Sequence, residues 1–310
     1  MAATTVTPSA DLLSGSARRR FKERVVKTLF QAAALFSLVV SVAIVLALTG
    51  QAISWLFDIE LSWLWASGWF PRANDFDILT LFLGTVLIAV IAMVVAAPLG
   101  IGAALYLSEY ATPRVRRTLK PILEVLAGIP SVVLGYFALT VIQPDVVQTF
   151  FRGTGAFSFL AAGIAVGILT IPLIASVAED AMYAVPNALR EAAYGIGARR
   201  RTVAVRVVVP AAVSGIVASL ILGISRAIGE TMVVAIAAGA TGGALRSFDP
   251  LDGGQTMTGA IASLAIGSDR VRGSDLAFPS LYFVGLLLFV LTFALNLASE
   301  RFVRRFRKNY

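Results

Sequence analysis

The sequence predicts an all-α polytopic membrane protein with six transmembrane helices and both termini in the cytoplasm. Hydrophobic residues make up 58% of its 310 residues, and only 14% are charged, against about 25% in soluble domains. A soluble chain of this length has too little interior to bury so much apolar surface, so much of it must face lipid. The sequence contains no His and no Cys, which excludes disulfides, thiolate or imidazole metal sites, and catalysis by either side chain.

Six apolar runs are long enough to cross a bilayer, which takes about 20 residues of helix. They are Leu29–Leu56, Ile78–Leu107, Ile122–Ile142, Phe157–Ala178, Val207–Ala238 and Leu281–Ala298. Runs of this length satisfy their backbone hydrogen bonds in lipid only as helices, which predicts the all-α class.

The orientation follows from the positions of Lys and Arg. Most of these 26 residues lie in segments 18–27, 114–120, 190–206 and 301–308. The positive-inside rule places such segments in the cytoplasm, and both termini are therefore predicted to be inside, as six spans require.

The ends of the chain are polar or basic. Residues 1–28 form the predicted cytoplasmic N-terminal tail before the first helix at 29–56, and residues 1–16 are predicted to be disordered. Residues 301–310 form a basic cytoplasmic tail. We therefore expect the membrane-embedded part to lie between these two tails.

Two outer segments separate the spans on the opposite side. Residues 57–77 are Trp-rich: they contain three of the four Trp residues, and the fourth is Trp55 just before them, which predicts an aromatic belt or a short interfacial helix. The second segment, Gly239–Pro279, contains an apolar stretch, Thr256–Gly267, that is too short to span and predicts a re-entrant or docking helix.

The clearest chemical signal lies in the fifth span, where Arg226 and Glu230 are four residues apart. A charge at mid-bilayer costs about 2.5–3.5 kcal/mol even on a lenient scale, so such residues have a partner or a function. On a continuous helix this spacing brings both side chains to one face, where they can form a structural ion pair. The alternative is a substrate pathway in which Arg226 attracts an anion in competition with Glu230, with the Thr231 hydroxyl as a further donor.

Prolines interrupt two of the predicted spans. Gly128 and Pro130 lie in the third span, and Pro172 lies in the fourth. Proline removes a helical hydrogen bond and kinks the helix, and broken helices often expose backbone groups to a substrate cavity. Plain kinks are the alternative, because proline is common in membrane helices.

The cytoplasmic loop at 182–206 predicts a short amphipathic helix. Pro186 suits the first helical position, and Gly195 and Gly197 suit its end. An apolar stripe runs along it at Leu189, Ala192, Ala193 and Ile196, followed by a basic cluster at 199–201. Such a helix can enter a groove on a cytoplasmic partner or lie on the inner leaflet, and periodicity does not distinguish these.

The same loop resembles the EAA loop of bacterial ABC-importer permeases. That pattern, EAA-x3-G-x9-I-x-L-P, is matched by Glu191, Ala192 and Ala193, then Gly197, and finally Val207 to Pro210, with Val in place of Ile and Leu. The resemblance implies that the helix docks into a separate ATPase subunit, with Glu191 to Ala193, Gly197 and Pro210 in the coupling loop.

Further motifs resemble the phosphate-specific permeases of this family. They are Tyr106 to Tyr110, Lys120 to Glu124, Ala127 to Val133, and Arg226 to Met232. Met232 and the Trp-rich outer segment look more like the PstC than the PstA type. The resemblance covers roughly residues 78–300 and implies a transmembrane domain of five helices there, with the type I importer permease fold. It also implies substrate-pathway roles for Arg226 and Glu230.

The resemblance implies a set of partners in a bacterial plasma (inner) membrane. These are a PstA-like second permease subunit, an ATPase dimer and an extracytoplasmic phosphate-binding protein. No nucleic acid is expected, because no nucleic-acid motif accompanies the basic residues. The sequence contains no G-x-x-x-x-G-K-S/T loop, so ATP and Mg are expected on the partner ATPase, and no cofactor is expected on this chain. Transport is then expected to proceed by alternating access.

Several alternatives remain open from the sequence. The substrate can be sulfate or another oxyanion, and the subunit can be of the PstA type. An ion-coupled secondary transporter is a distant alternative, because such proteins often show inverted repeats and none is convincing here. A membrane enzyme would have Glu124, Glu179 and Asp180 as candidate acids, although contacts at helix ends explain them more simply.

Overall fold

The computed structural model describes residues 17–239, 243–266 and 275–306, with the side chains of 21–301 in these ranges. The prediction of disorder for residues 1–16 lies outside them, as do Gly267 and the end of the basic tail. The chain divides into two compact units, residues 1–50 and 51–310. In the first unit, the apolar side chains of a single long helix are exposed along its length.

The helices of the described residues occur in the following order. They are α1 Ala17–Asp58, α2 Ile78–Leu105, α3 Pro113–Leu126, α4 Ser131–Phe137, α5 Phe159–Tyr183, α6 Asn187–Gly195, α7 Arg200–Val203, α8 Val213–Gly229, α9 Met232–Val234, α10 Met257–Ile266 and α11 Ser280–Phe306. Four helices continue into π-helical turns: α2 into Tyr106–Tyr110, α4 into Ala138–Val147, α7 into Ala204–Val208 and α9 into Ala235–Gly239. Short turns at Gln148–Phe150 and Val209–Ala211 follow the second and third of these.

Within the described residues, five helices are long and apolar enough to cross a membrane, and a bent pair brings the number to six. They are Phe21–Asp58, Ile78–Tyr110, Ser131–Phe150, Phe159–Tyr183, Ser280–Arg301 and the pair Arg200–Ala211 with Val213–Gly229. The all-α polytopic class is therefore confirmed, whereas the sidedness of the termini stays a prediction.

Helix α5 lies at the centre of the second unit and packs along α2. A Cβ on Gly163 would lie 2.6 Å from Cβ of Ile91, and one on Gly167 would lie 2.9 Å from the carbonyl oxygen of Ala92. The two glycines therefore let the backbones approach closely, which is how membrane helices gain packing energy without a hydrophobic driving force.

The bounds predicted for the third span are wrong. Ile122 belongs to α3, which the Thr112 side chain caps by accepting a hydrogen bond from the Val115 amide, and the span itself is Ser131–Phe150. The apolar residues of α3 lie on one face of an amphipathic helix. Hydropathy averaged along the chain merges this face with the span that follows, because only the turn at 127–130 separates the two.

The fifth span is also not the continuous helix Val207–Ala238. Its helices bend by 72° between Ala211 and Val213, and α8 ends at Gly229. Pro210 lies just before the bend, in line with the loss of a helical hydrogen bond at proline. The chain then resumes as the short helix α9.

The outer segments form a small antiparallel sheet. Strand β1 (Gly68–Phe70) pairs with β2 (Asp75–Phe76) on one side and with β3 (Ala244–Leu245) on the other, with Trp69 opposite both Phe76 and Ala244. The pairing joins the two outer segments. The short apolar stretch predicted at Thr256–Gly267 contains the helix α10, Met257–Ile266.

The predicted aromatic belt is wrong for two of the four Trp residues. Trp55 and Trp69 are buried and pack edge-on against Phe76, at 5.0 and 5.7 Å between ring centroids. The Trp55 Nε1–H also donates to the Leu276 carbonyl at 2.9 Å. These rings fill a protein core instead of a lipid boundary, whereas Trp65 is exposed.

Candidate functional site

The predicted pathway residues lie at a break between two helices. Helix α8 ends at Gly229, and Glu230 has an extended backbone with φ −69° and ψ 128°. The carbonyl of Glu230, which the break removes from helical hydrogen bonding, accepts a hydrogen bond of 2.8 Å from the Thr258 hydroxyl of α10. The break is therefore stabilised by a residue from the second outer segment.

Arg226 and Glu230 do not share one helix face as their spacing predicted. Arg226 is exposed, whereas Glu230 is 9% exposed, and neither makes a salt bridge within the described part of the chain. The reason is local: the helix ends between them, so the geometry that brings residues four apart together is lost. Thr231 is half-buried, and its hydroxyl donates weakly to the Gly229 carbonyl at 3.3 Å.

A cluster of polar residues beside the break escaped sequence reasoning. The hydroxyls of Thr256 and Thr258 are 3.0 Å apart, and Thr85 of α2 accepts a hydrogen bond from the Met257 amide at 3.0 Å. Gln255 is buried, and among the described residues both its amide atoms lack a partner. A Cβ on Gly84 would lie 2.3 Å from the Gln255 carbonyl oxygen, so the backbones meet directly. The only sequence signal of this cluster was the presence of polar residues within the Gly-rich outer segment.

The predicted helix breaks lie elsewhere than expected. Gly128 and Pro130 form the turn between α3 and α4, with Pro130 at the N-terminal cap of α4. The prediction of a helix break at Pro172 is wrong, since α5 runs through this buried proline without interruption. Helix α4 nevertheless packs on α9: a Cβ on Gly135 would lie 3.1 Å from the Met232 carbonyl oxygen. The third span therefore lies against the chain that follows Glu230 and Thr231.

The loop resembling an EAA motif forms an exposed helix, α6. It begins at Asn187, one residue later than predicted, because Pro186 occupies its N-terminal cap. Leu189 and Ala193 pack on the core cluster that contains Ala178 and Met182, whereas the other half of the predicted stripe points away from it.

The opposite face of α6 is free within the described residues. Glu191 and Ala192 are exposed, and Ile196 is 87% exposed. Gly197 turns the chain with a φ of +82°, a conformation that favours glycine, and its amide donates to the Tyr194 carbonyl at 2.9 Å. The loop therefore presents a compact, partly apolar tip.

Acidic residues at the end of α5 form ion pairs with α3. Glu179 is fully buried and accepts from Arg116 at 2.6 Å and from Lys120 at 2.8 Å, and Lys120 also contacts Asp180. The guanidinium of Arg116 lies 3.6 Å from the ring centroid of Tyr183. These contacts favour the structural explanation of Glu179 and Asp180 over an acid–base role, and Glu124 is exposed.

The ion pairs at the end of α5 also shift the pKa of Lys120. Burial opposes the charge on Lys120, but hydrogen bonds to Asp180 and Glu179 outweigh it and raise the pKa of Lys120 above its ordinary value of 10.5. A raised pKa stabilises the fold below the ordinary value and loses that contribution only as the pH rises through the folded-state value. Lys120 is therefore charged near neutral pH. Within the described residues, no group of three or more acidic side chains is placed to hold a metal ion.

Comparisons with known proteins agree with this architecture. The family described as "Binding-protein-dependent transport system inner membrane component" matches residues 96–308. A probable ABC transporter permease protein, YqgH of Bacillus subtilis (strain 168), is 33% identical over 92% of each chain. The phosphate transport system permease protein PstC of Mesorhizobium japonicum is 34% identical over 88% of this chain and 87% of its own length.

A solved structure shows the fold as well. The crystal structure of a bacterial ABC transporter involved in the import of the acidic polysaccharide alginate contains a chain that is matched over its full length. It covers 92% of this chain with a TM-score of 0.60 and 15% identity, a likeness that concerns the fold alone. The predicted importer-permease fold is thereby confirmed. With residues 96–308 matched and relatives 33% and 34% identical along most of its length, the chain belongs to the family of binding-protein-dependent transport system inner membrane components.

Proposed function

We propose that the chain is the PstC-type permease subunit of an ATP-driven phosphate importer in a bacterial inner membrane. The observation that carries this proposal is the broken span at Glu230, with Arg226 one turn earlier on an exposed face and without an ion-pair partner among the described residues. A guanidinium facing lipid would cost several kcal/mol, about 2.5–3.5 on a lenient scale, so this face is better suited to a polar pathway or a partner subunit.

The chemistry around the break suits an oxyanion. Arg226 offers a fixed fork of donors, which matches phosphate geometry, and the half-buried hydroxyl of Thr231 adds a neutral donor. Phosphate still carries a proton near neutral pH and sulfate does not, so the Glu230 carboxylate, as a hydrogen-bond acceptor, favours phosphate. The similarity to the PstC protein of Mesorhizobium japonicum supports the same substrate.

The exposed half of α6 supports a partner below the membrane. Glu191, Ala192 and Ile196 are free to enter a groove, whereas α6 is anchored behind them. We assign this groove to one subunit of an ATPase dimer, which would hold the ATP and Mg that this chain has no motif to bind. A PstA-like permease would complete the pore, and a phosphate-binding protein would deliver the anion from outside.

Transport would proceed by alternating access. Closure of the ATPase dimer would displace α6, and the helices packed above it would move to open the cavity outward. The binding protein would then release phosphate near Arg226, and hydrolysis would reopen the cytoplasmic side. This scheme requires the N- and C-termini to be cytoplasmic, as the Lys and Arg distribution predicts.

Radiolabelled phosphate uptake tests the proposal. Permease-deficient cells carrying all partner subunits would express either the unmodified chain or Arg226→Gln at matched membrane levels, with excess unlabelled sulfate as competitor. We expect uptake that sulfate leaves unchanged and that Arg226→Gln abolishes, because glutamine has no charge to offer the anion.

The matched control is Arg152→Gln, which removes a charge from an exposed residue in the loop between α4 and α5. This variant should transport normally. Uptake that survives Arg226→Gln would reduce Arg226 to a structural residue. Uptake blocked by sulfate would instead point to an importer of other oxyanions.

A further inference from the structure

Glu109 lies at the predicted cytoplasmic end of the α2 span, in the π-helical turn Tyr106–Tyr110. Its side chain is 5% exposed, which requires a partner for the charge. Two arginines from the loop that carries α6 provide contacts, although they are 81 and 91 residues away along the chain. One binds the carboxylate and the other binds the backbone of the same residue.

Arg190 is the arginine that binds the carboxylate. Its Nη2 donates to Oε1 of Glu109 at 2.8 Å, and its Nε lies 3.3 Å from the same oxygen. The same guanidinium donates to the carbonyl oxygen of Met182 at 2.8 Å and to that of Val185. Arg190 therefore ties α6 to the ends of both α2 and α5, with its side chain only 14% exposed.

Arg200 makes the second contact, from the start of α7. Its Nε donates to the Glu109 carbonyl oxygen at 2.8 Å, and its guanidinium lies 5.1 Å from the ring centroid of Tyr110. Between the two arginines the chain passes through the left-handed turn at Gly197. Both ends of the loop are thus fastened to one residue of the α2 span.

We propose that Glu109 is a positioning residue that transmits movement between α6 and the α2 span, an inference that rests on the proposed function. Charge-assisted hydrogen bonds from a planar guanidinium add geometric specificity to the apolar contacts of Leu189 and Ala193. Helix α2 is packed along the central helix α5, so a displacement that reaches Glu109 reaches the core of the subunit. Removing the carboxylate would let α6 stay in the ATPase groove while the span above no longer follows it.

The test uses the complete transporter in proteoliposomes: this chain, its partner permease, the ATPase subunits and the binding protein. ATP hydrolysis is measured with and without the phosphate-loaded binding protein, beside phosphate uptake. Glu109→Gln and Arg190→Gln should each keep the basal ATPase and the subunit ratio. In each variant, the stimulation of ATP hydrolysis by the binding protein should fall about tenfold, which is within the usual range of coupling between sites.

A double variant and a control sharpen the result. Glu109→Gln combined with Arg190→Gln should lose no more than the worse single variant, because both act through one contact. Arg117→Gln removes an exposed base from α3 and should keep full stimulation. Stimulation at the unmodified level in both single variants would overturn the inference.

Two other outcomes also decide whether Glu109 has the proposed role. If the Gln variants do not assemble, Arg190→Lys keeps the charge without the fork. Assembled Arg190→Lys with reduced stimulation supports the transmission role, and full stimulation overturns it. An unmodified transporter that neither takes up phosphate nor responds to the binding protein contradicts the proposed function itself, and this inference falls with it.

Discussion

Charged side chains are arranged in opposite ways at the ends of the spans and at the break that follows α8. At the ends, buried carboxylates are paired: Glu109 with Arg190, Glu179 with Arg116 and Lys120. At the break after α8, buried Glu230 and exposed Arg226 are four residues apart and make no ion pair within the described residues. The paired charges join helices to one another, and under the proposed function the charges at the break are the ones that meet the anion.

The comparison predicts that removing a buried paired charge lowers stability, whereas removing Arg226 at the break lowers transport with little loss of stability. The following variants test this prediction. They are ordered by the expected loss of stability, from the largest to the smallest, as measured by thermal unfolding of the purified subunit in detergent.

Glu179→Ala should cause the largest loss. It leaves Arg116 and Lys120 without their shared partner at a fully buried position, and breaking a buried ion pair costs about 3–5 kcal/mol. The midpoint of thermal unfolding should fall accordingly, with Glu124→Ala on exposed α3 as the control. An unchanged midpoint would show that the ion pairs contribute nothing to packing.

Asp77→Asn should cause an intermediate loss. Asp77 is fully buried before α2 and accepts two hydrogen bonds from Nη2 of Arg246, at 2.8 and 2.9 Å, joining the two outer segments. Hydrogen bonds to a charged group contribute about 1.5–3 kcal/mol, so the stability should fall by a similar amount. Limited proteolysis of the outer segments would check the same change, and exposed Asp58→Asn should behave like the unmodified chain.

Gly197→Val should cause a smaller loss. The φ of +82° at this position strains a β-branched residue by about 1–2 kcal/mol, and the strain falls on the loop that carries α6. We expect the inserted protein to lose its ATPase partner during purification. Gly195→Val, where the structure leaves open space and no left-handed backbone, is the control. Equal retention of the ATPase by both variants would contradict a coupling role for this turn.

Arg226→Gln should have the smallest effect on stability, although it abolishes the proposed transport. With no ion-pair partner in the described residues, its loss should change the free energy of unfolding by no more than about 0.5 kcal/mol. A large drop in the unfolding midpoint would mean that Arg226 is a structural residue after all, and the contrast between the two regions would fail.

The sequence predicted three of the six spans well, whereas the first helix begins at Ala17 and not at the predicted Leu29. The second, fourth and last spans occur within a few residues of their predicted ends, because a bilayer demands a long apolar run and little else. The third and fifth spans were misplaced, since hydropathy does not distinguish the amphipathic helix α3 from a span and does not register a break at Glu230.

The candidate site was predicted in its residues but not in its geometry. Arg226, Glu230 and Thr231 stand out in a sequence because charged residues are rare within apolar runs. Their separation by a helix end, and the hydrogen bond from Thr258 that stabilises it, depend on a segment 28 residues further along. The Glu109–Arg190 contact joins residues 81 positions apart, and nothing in a single sequence links them.

The sequence by itself determined the class of this protein, its number of spans and the residues that carry its charge, because transfer into lipid is a local property of each run. Only the tertiary structure decided which charges are paired. Pairing depends on distances between helix ends, which bring α3 to Glu179 and α6 to Glu109. The physical reason is that burial in lipid is summed along the chain, whereas an ion pair forms only where two distant segments meet within hydrogen-bond distance.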